Sequence, residues 1–201
     1  EVLGELGPVP MWFLPGVRDT WLIAVHGLGT TREHAMNLME FLHRHRFPVL
    51  APAYRGDPGA PRSPDGLNHL GETEWRDLDA AIGYARRQGA RRVLLMGWSM
   101  GGALSLQAAL ESPHADVIAG LVLDSPVVDW RTVLNFQGRA MRLPAPVIAL
   151  AERTLASNWG ATALRSGEPI PLDRLDGVSR AAELRHPVLI LHSDDDGFVP
   201  A

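Results

Sequence analysis

The sequence predicts an α/β fold in which helices flank a mostly parallel sheet on both faces. Short apolar, β-branched runs alternate with helical periodicity: a strand over 21–25, a helix over 31–46 and a strand over 48–51. Strands that are apolar throughout are typical of parallel sheets covered on both sides, and right-handed crossovers join them. A length of 201 residues suits one domain of this class.

The alternation continues along the chain. The pattern predicts a helix over 72–88, which Gly89 ends, and a strand over 92–96. A glycine-rich turn over 97–102, a helix over 103–111 and two further strands, 118–123 and 187–192, follow. The segment 126–186 interrupts this pattern with two helical stretches, about 130–142 and 146–158. We interpret it as a small helical cap on a single domain, 1–201, whose core is about 1–125 and 187–201. Surface helices packed on the core are the alternative.

Composition narrows the class of partner. Lysines and arginines number 19 against 23 acids, a net charge of -4, which gives no indication of nucleic acid or an anionic membrane. The absence of cysteine excludes disulfides, thiolate zinc sites and a cysteine nucleophile. The longest apolar runs, such as 117–123, are far shorter than the roughly 20 residues of a membrane span. We expect a small-molecule substrate. The compartment stays open, with the cytoplasm favoured over secretion or an N-terminal anchor.

A glycine-rich turn between a predicted strand and a predicted helix carries the main candidate for catalysis. The sequence Gly97-Trp98-Ser99-Met100-Gly101-Gly102 has the Gly-x-Ser-x-Gly pattern in the strand–turn–helix setting of a nucleophile elbow. Gly97 and Gly101 lack the Cβ atoms that would collide across such a turn. Ser99 is therefore the predicted nucleophile, and the Met100 N–H is a predicted oxyanion donor. An incidental serine in a glycine-rich turn is the alternative.

A second glycine-rich loop follows the strand 21–25. In enzymes with a serine on such a turn, this loop supplies the other oxyanion donor, and in His26-Gly27-Leu28-Gly29-Thr30-Thr31 the Leu28 N–H is the candidate. Gly27 permits close approach of the backbone. His26 precedes the loop and suits a structural histidine better than a catalytic base. No GxxxxGK[ST] pattern accompanies the glycines, so nucleotide binding is not indicated.

The last predicted strand runs into three consecutive aspartates, Asp194, Asp195 and Asp196. A carboxylate at the carboxyl end of a strand, after the nucleophile in the chain, fits the acid of a Ser-Asp-His triad. A run of acids is also typical of a solvated loop or a cation site. Charge alone leaves the choice open, and Asp124 at the end of the preceding strand is a further candidate.

Together these motifs resemble the α/β-hydrolase superfamily, and within it the esterase/peptidase-like branch of Bem46-type and prolyl-oligopeptidase-like serine hydrolases. Tyr54-Arg55-Gly56 and the segment 69–75 add to a likeness that covers nearly the whole chain. The family pattern His-Gly-x-x-Asp-x-x-Val-Pro implies Asp196 as the acid, four residues after His192, with Ser193 in place of the usual glycine. Asp124 stays the alternative because some lipases carry the acid there.

The resemblance also implies a catalytic histidine downstream of the acid, and no histidine of this sequence follows Asp196. We expect that base, with a last strand and helix, after Ala201, so that the chain by itself would be inert. His69 is the one remote substitute within the chain, and a non-catalytic descendant of the family is the alternative explanation.

The expected activity is hydrolysis of a carboxylic ester, or of a thioester or amide, by a carboxylesterase-like serine hydrolase without a metal or cofactor. Three alternatives remain: a binding or sensor protein on the same fold, a peptidase of the prolyl-oligopeptidase type, and a lipase that micelles would activate. The oligomeric state is left open.

Overall fold

The computed structural model of the protein describes residues 1–200. Its centre is a six-stranded sheet in the order β3-β5-β4-β6-β7-β8, in which β3 runs antiparallel and the other strands are parallel. The strands are β1 (Val2–Gly4), β2 (Gly7–Val9), β3 (Met11–Leu14), β4 (Thr20–Val25), β5 (Val49–Pro52), β6 (Arg92–Trp98), β7 (Ile118–Asp124) and β8 (Val188–Leu191). The helices are α1 (Met36–Arg44), α2 (Trp75–Arg87), α3 (Met100–Glu111), α4 (Trp130–Ala140), α5 (Ala145–Leu155) and α6 (Asn158–Leu164).

Strand β4 shows why the sheet is covered on both faces. Trp21, Ile23 and Val25 pack in the cluster that includes α2 and α3, whereas Leu22 and Ala24 pack in the cluster on the α1 side. Because successive side chains of a strand point to opposite faces, an entirely apolar strand needs helices on both sides. The predicted α/β class with a mostly parallel sheet is confirmed.

The N-terminal hairpin formed by β1 and β2 was not predicted from the sequence. Its strands are three residues each and include Gly7 and Pro8, so they show no periodic pattern. An ion-pair network ties the hairpin to the core: the buried Arg55 guanidinium donates to Asp77 of α2 and to Glu5 in the hairpin turn. The hairpin therefore helps to fix the loop that follows β5, and this loop lines the candidate site described below.

Three helices lie between β7 and β8, in the segment predicted as a cap. Helix α4 begins at Trp130, where the Asp129 side chain accepts hydrogen bonds from the backbone N–H groups of Arg131 and Thr132. The second predicted helix, 146–158, ends earlier, at Leu155, and α6 was not predicted; Ser157 begins α6 by accepting a hydrogen bond from the Gly160 N–H. Among the described residues, no helix is long and apolar enough to span a bilayer.

Candidate active site

Ser99 occupies the turn between β6 and α3 in a strained backbone conformation. Its φ of 50° lies in the left-handed region, which a residue with a side chain rarely adopts. Hydrogen bonds hold this conformation: the Ser99 N–H donates to Asp124 O at 3.0 Å, and Ser99 O accepts from Gly102 N–H at 2.9 Å and Val127 N–H at 3.1 Å. The surrounding backbone thus fixes Ser99 at the carboxyl edge of the sheet.

Two glycines make this turn sterically possible. A Cβ on Gly97 would stand 2.4 Å from the backbone oxygen of Gly101, and a Cβ on Gly101 would stand 2.1 Å from Val25 O. Both distances are too short for any side chain, and the opposing atoms are backbone atoms that cannot swing away. The Gly-x-Ser-x-Gly spacing is therefore required by close contacts between β6, α3 and β4.

Leu28 and Met100 are the two residues whose backbone N–H groups were predicted as oxyanion donors. Met100 is the first residue of α3, so its N–H has no acceptor within the helix. The Leu28 N–H donates to no acceptor within residues 1–200. Gly27, just before Leu28, lies so close to the nucleophile that a Cβ on it would be 3.1 Å from the Ser99 Cβ. Met100 is thus next to Ser99 in the chain, and Leu28 follows a glycine that packs against it.

Several donors converge on the Gly27 carbonyl and fix the orientation of this loop. Gly27 O accepts from the Thr30 hydroxyl at 2.9 Å and the Tyr54 hydroxyl at 3.1 Å, and the His26 Nδ1 lies 3.0 Å from it. Gly27 C=O and Leu28 N–H belong to one planar trans peptide and point in opposite directions. Holding the Gly27 carbonyl against the Thr30 and Tyr54 hydroxyls therefore turns the Leu28 N–H away from those two side chains.

His26 is buried, and neither of its ring nitrogens is hydrogen-bonded to Ser99. Its Nε2 is 2.8 Å from Asp57 Oδ2, which also accepts from the Tyr54 N–H at 2.8 Å, and its ring stacks on Tyr54 with 4.4 Å between centroids. Burial raises the pKa of Tyr54 above its usual range, which keeps the phenol a donor. Asp57 was missed by sequence reasoning; its only signal is an acid two residues after Arg55 in a loop that leaves a parallel strand.

Asp196 sits in a tight loop that holds it as a carboxylate. Its Oδ1 accepts from Phe198 N–H at 2.8 Å and Val199 N–H at 3.0 Å, and these bonds, with the Ser125 hydroxyl, lower its pKa below the ordinary value. His192 closes the loop, since its Nε2–H donates to Val199 O at 3.0 Å. The other two aspartates are exposed, and no group of three potential metal ligands converges within residues 1–200.

The backbone brings this loop beside the nucleophile turn. Asp124 O accepts from the Ser99 N–H, and the next residue, Ser125, donates its N–H to Leu191 O at the end of β8. The Ser99 turn and the start of the Asp196 loop are therefore joined through two consecutive residues. The main chain of Asp124, the alternative acid, is itself part of this junction.

No histidine within the described residues accepts a hydrogen bond from the Ser99 hydroxyl. His69, the in-chain substitute, is held elsewhere: its Nε2 lies 2.9 Å from Asp65 Oδ2 and its Nδ1 lies 3.3 Å from the Thr73 hydroxyl. His186 donates from Nε2 to Ala115 O, far along the chain from the elbow.

A cleft of about 470 Å³ opens between the loops that follow β4 and β5. Leu28 and Tyr54 line it, so the cleft adjoins the predicted oxyanion loop. Arg62, Ser63 and Asn68 line it as well. Within residues 1–200 the Arg62 guanidinium forms no ion pair, so the cleft contains a cation available to a ligand.

Comparison with known proteins shows the family to which this chain belongs. The alpha/beta hydrolase family model matches residues 22–201, and the chain belongs to that family. It is 31% identical over 206 residues to a 2-hydroxy-6-oxo-2,4-heptadienoate hydrolase of Pseudomonas putida, an alignment that covers 89% of this chain and 73% of the relative. Within the superfamily, the likeness to the Bem46-type and prolyl-oligopeptidase-like branch stays a prediction.

Solved structures share the fold at low sequence identity. An esterase of Pyrococcus furiosus superposes with a TM-score of 0.72 at 18% identity, over 100% of this chain and 72% of that one. A monoacylglycerol lipase of Paleococcus ferrophilus gives 0.64 at 21% identity, over 96% of this chain and 80% of that one. These neighbours show the fold, and the family and the Pseudomonas putida relative support a hydrolase.

Proposed function

We propose that this chain forms the core of a serine hydrolase that cleaves carboxylic esters through an acyl-enzyme on Ser99. The observation that carries the proposal is the strained Ser99 turn, next to Leu28 and Met100, whose backbone N–H groups have no acceptor within residues 1–200. A strained nucleophile beside two preorganised donors is the arrangement that acyl transfer needs. An incidental serine in a glycine-rich turn would not need a second loop held against it by Gly27.

In the proposed mechanism the Ser99 hydroxyl attacks the ester carbonyl, and the Leu28 and Met100 N–H groups stabilise the oxyanion. One such donor is worth about 10²–10³-fold in kcat. Asp196, kept ionised by its backbone hydrogen bonds, orients a histidine that we place after Ala201 in the natural protein. That histidine takes the serine proton and gives it to the leaving alcohol. In the second half-reaction it takes a proton from water, which attacks the acyl-enzyme, and it returns the proton to Ser99 as the carboxylic acid leaves. Amides demand more protonation of the leaving group, so esters are the favoured class.

The helices between β7 and β8 support the proposed division into a core and a cap over about 126–186. Helix α4 contacts the acid loop, because the Gln137 side chain donates to Gly197 O at 3.1 Å and Phe198 O at 2.8 Å. The inserted helices thus border the site rather than covering a remote part of the core.

A second candidate is hydrolysis of an oxo-dienoic acid, the class named for the Pseudomonas putida relative. Arg62 favours it, because a guanidinium without an ion pair in the cleft beside Leu28 suits a substrate carboxylate. Both candidates use Ser99 and the same oxyanion donors. They differ in the bond broken: an oxo-dienoic acid has no ester, so its hydrolysis breaks the carbon–carbon bond beside the oxo group, and the proton goes to the leaving carbon instead of to an alcohol oxygen.

A fluorophosphonate probe tests the proposal on the natural protein that contains this chain. The wild type and a Ser179→Ala control, which changes an exposed serine, should be labelled and should hydrolyse p-nitrophenyl esters. Ser99→Ala should lose both the labelling by the probe and the hydrolysis of p-nitrophenyl esters. Equal labelling of Ser99→Ala would exclude Ser99 as the nucleophile, and an unlabelled wild type would favour a binding or sensor protein. Turnover of peptide p-nitroanilides in preference to esters would favour the peptidase alternative.

A further inference from the structure

The outward surface of α4–α6 is unusually apolar for a face that meets water. Five large apolar side chains on this segment are exposed by 43–69%: Met141, Leu143, Val147, Leu150 and Trp159. A surface helix normally turns its apolar stripe to the core and its polar residues outward. Together with the arginines described below, these residues form what we call the cap face.

In helix α5 the exposed apolar side chains are additional to the apolar stripe that packs on the core. Ile148 is buried and Glu152 and Leu155 are partly buried, so the inward side of the helix is already occupied. Val147 and Leu150, three residues apart, lie on the opposite side and face outward. The helix is therefore apolar on both sides, which in a water-exposed position indicates a second partner.

The charges of the cap face have one sign. The exposed arginines of the segment are Arg139, Arg142, Arg153 and Arg165, and none of them forms an ion pair within residues 1–200. The one acid among residues 139–167, Glu152, has a side chain only 14% exposed and lies against Asn135 and Arg131 of α4. The chain as a whole carries -4, so its average composition conceals a local cationic surface.

We propose that the cap face docks on an anionic lipid surface. Apolar side chains that enter the acyl boundary, a tryptophan at headgroup depth and arginines that reach phosphates are the features of an interfacial helix surface. The partner is a lipid layer rather than nucleic acid, because nucleic acid would pair with the arginines but leave five apolar side chains in water. Helix α4 also holds the Asp196 loop through Gln137, so docking would bring the carboxyl edge of the sheet close to the lipid.

Flotation with vesicles tests this surface independently of catalysis. The natural protein carrying Ser99→Ala is mixed with vesicles of phosphatidylcholine alone or of phosphatidylcholine with phosphatidylglycerol. We expect binding to the anionic vesicles that weakens as salt is added. Arg142→Gln and Arg153→Gln should each lower the partition coefficient by about fivefold, and Leu150→Gln by about tenfold. Arg91→Gln and Leu3→Gln, exposed residues away from the cap face, are the matched controls and should bind as the parent does.

Trp159 supplies a second readout because it is 67% exposed. Its emission should shift to the blue and become shielded from iodide when anionic vesicles are added, and Trp159→Phe should abolish that change. Three results would each overturn the proposal: no binding of the parent protein to anionic vesicles, equal binding by the cap-face variants and the controls, or self-association that Leu150→Gln removes. Failure of ester hydrolysis would leave this test unaffected, since it uses the Ser99→Ala protein.

Discussion

Gly27 and Ser99 are in direct contact: a Cβ on Gly27 would stand 3.1 Å from the Ser99 Cβ and 3.1 Å from Trp98 O. The loop after β4 therefore rests on the nucleophile turn after β6. Since the Gly27 carbonyl and the Leu28 N–H share one peptide plane, this contact and the bonds to Gly27 O together set the direction of the Leu28 donor.

Replacing Gly27 by alanine should impair catalysis more than folding. The added methyl group needs a shift of a few tenths of an ångström, which moves Ser99 and the Leu28 N–H apart. Because a misplacement of 1 Å can cost 10²-fold, we expect kcat/KM to fall by about tenfold. Steady-state kinetics and urea unfolding measure the two effects. Gly197→Ala, where a Cβ meets nothing within 4 Å, is the control and should retain stability. A Gly27→Ala enzyme with unchanged kinetics would show that the contact is unimportant.

The Tyr54 hydroxyl offers a one-atom test of how the oxyanion loop is held. Tyr54→Phe deletes the donor to Gly27 O but keeps the ring against His26. We expect a loss of about 1 kcal/mol in the free energy of unfolding, and kcat should fall by about fivefold at constant KM because the Leu28 donor acts on the transition state. Tyr84→Phe, at the other tyrosine of the chain, should change neither quantity. A raised KM at constant kcat would instead indicate a role for Tyr54 in substrate binding.

How much of this site the sequence predicts depends on how local each feature is. The Ser99 turn is visible in six consecutive residues because its steric requirement falls on Gly97 and Gly101. The bond between His26 and Asp57 joins residues 31 positions apart on two different strand ends, so it becomes visible only when β5 is placed beside β4. The hairpin β1–β2 escaped prediction because strands of three residues carry no periodicity. The cap face escaped it because composition averages charge over the whole chain.

The acid can be identified by comparing two aspartates. Asp196→Asn should lower kcat/KM by about 10³–10⁴-fold, as expected when a triad base loses its orienting carboxylate. Asp124→Asn should stay within a few-fold of the wild type, because Asp124 holds Ser99 through its backbone oxygen, which the substitution keeps. Kinetics on a p-nitrophenyl ester measure both. The reverse order of effects would assign the acid to Asp124.

The lowered pKa of Asp196 also sets the expected pH profile. The N–H groups of Phe198 and Val199 favour the charged form of Asp196 in the folded protein, so its folded pKa lies below the unfolded pKa of 3.8. The stabilisation from this carboxylate is therefore fully present above pH 3.8 and is lost only as pH falls through the lower folded pKa. Any loss of activity between about pH 8 and pH 5 should therefore come from the triad histidine. Because the Ser125 hydroxyl helps to lower the Asp196 pKa, Ser125→Ala should raise that pKa. If the acidic limb of the activity profile moved to higher pH in this variant, the limb would belong to Asp196 and not to the histidine.

Arg62 should distinguish acidic from neutral substrates. If it pairs with a carboxylate in the cleft, Arg62→Gln should lower kcat/KM by about tenfold for an ester with a terminal carboxylate or for an oxo-dienoic acid. Hydrolysis of a neutral ester of equal length should be unchanged. Arg46→Gln, another exposed arginine, is the control. Equal losses on both substrates would assign Arg62 to the structure of the loop rather than to specificity.

His34 should make the stability of the fold depend on pH. Burial lowers its pKa, with a further contribution from repulsion by His26, and its ring stacks on Trp98 beside the nucleophile at 4.6 Å between centroids. Because the folded-state pKa lies below the unfolded value of 6.5, the unfolded chain binds the proton first as pH falls. The stabilisation is thus full above the unfolded value and declines as pH drops through it toward the folded pKa. Urea unfolding at about pH 7.5 and 5.5 should show this decline, and His34→Gln should reduce it while the exposed control His43→Gln keeps it. An equal decline in His34→Gln and the wild type would place the coupling at another group.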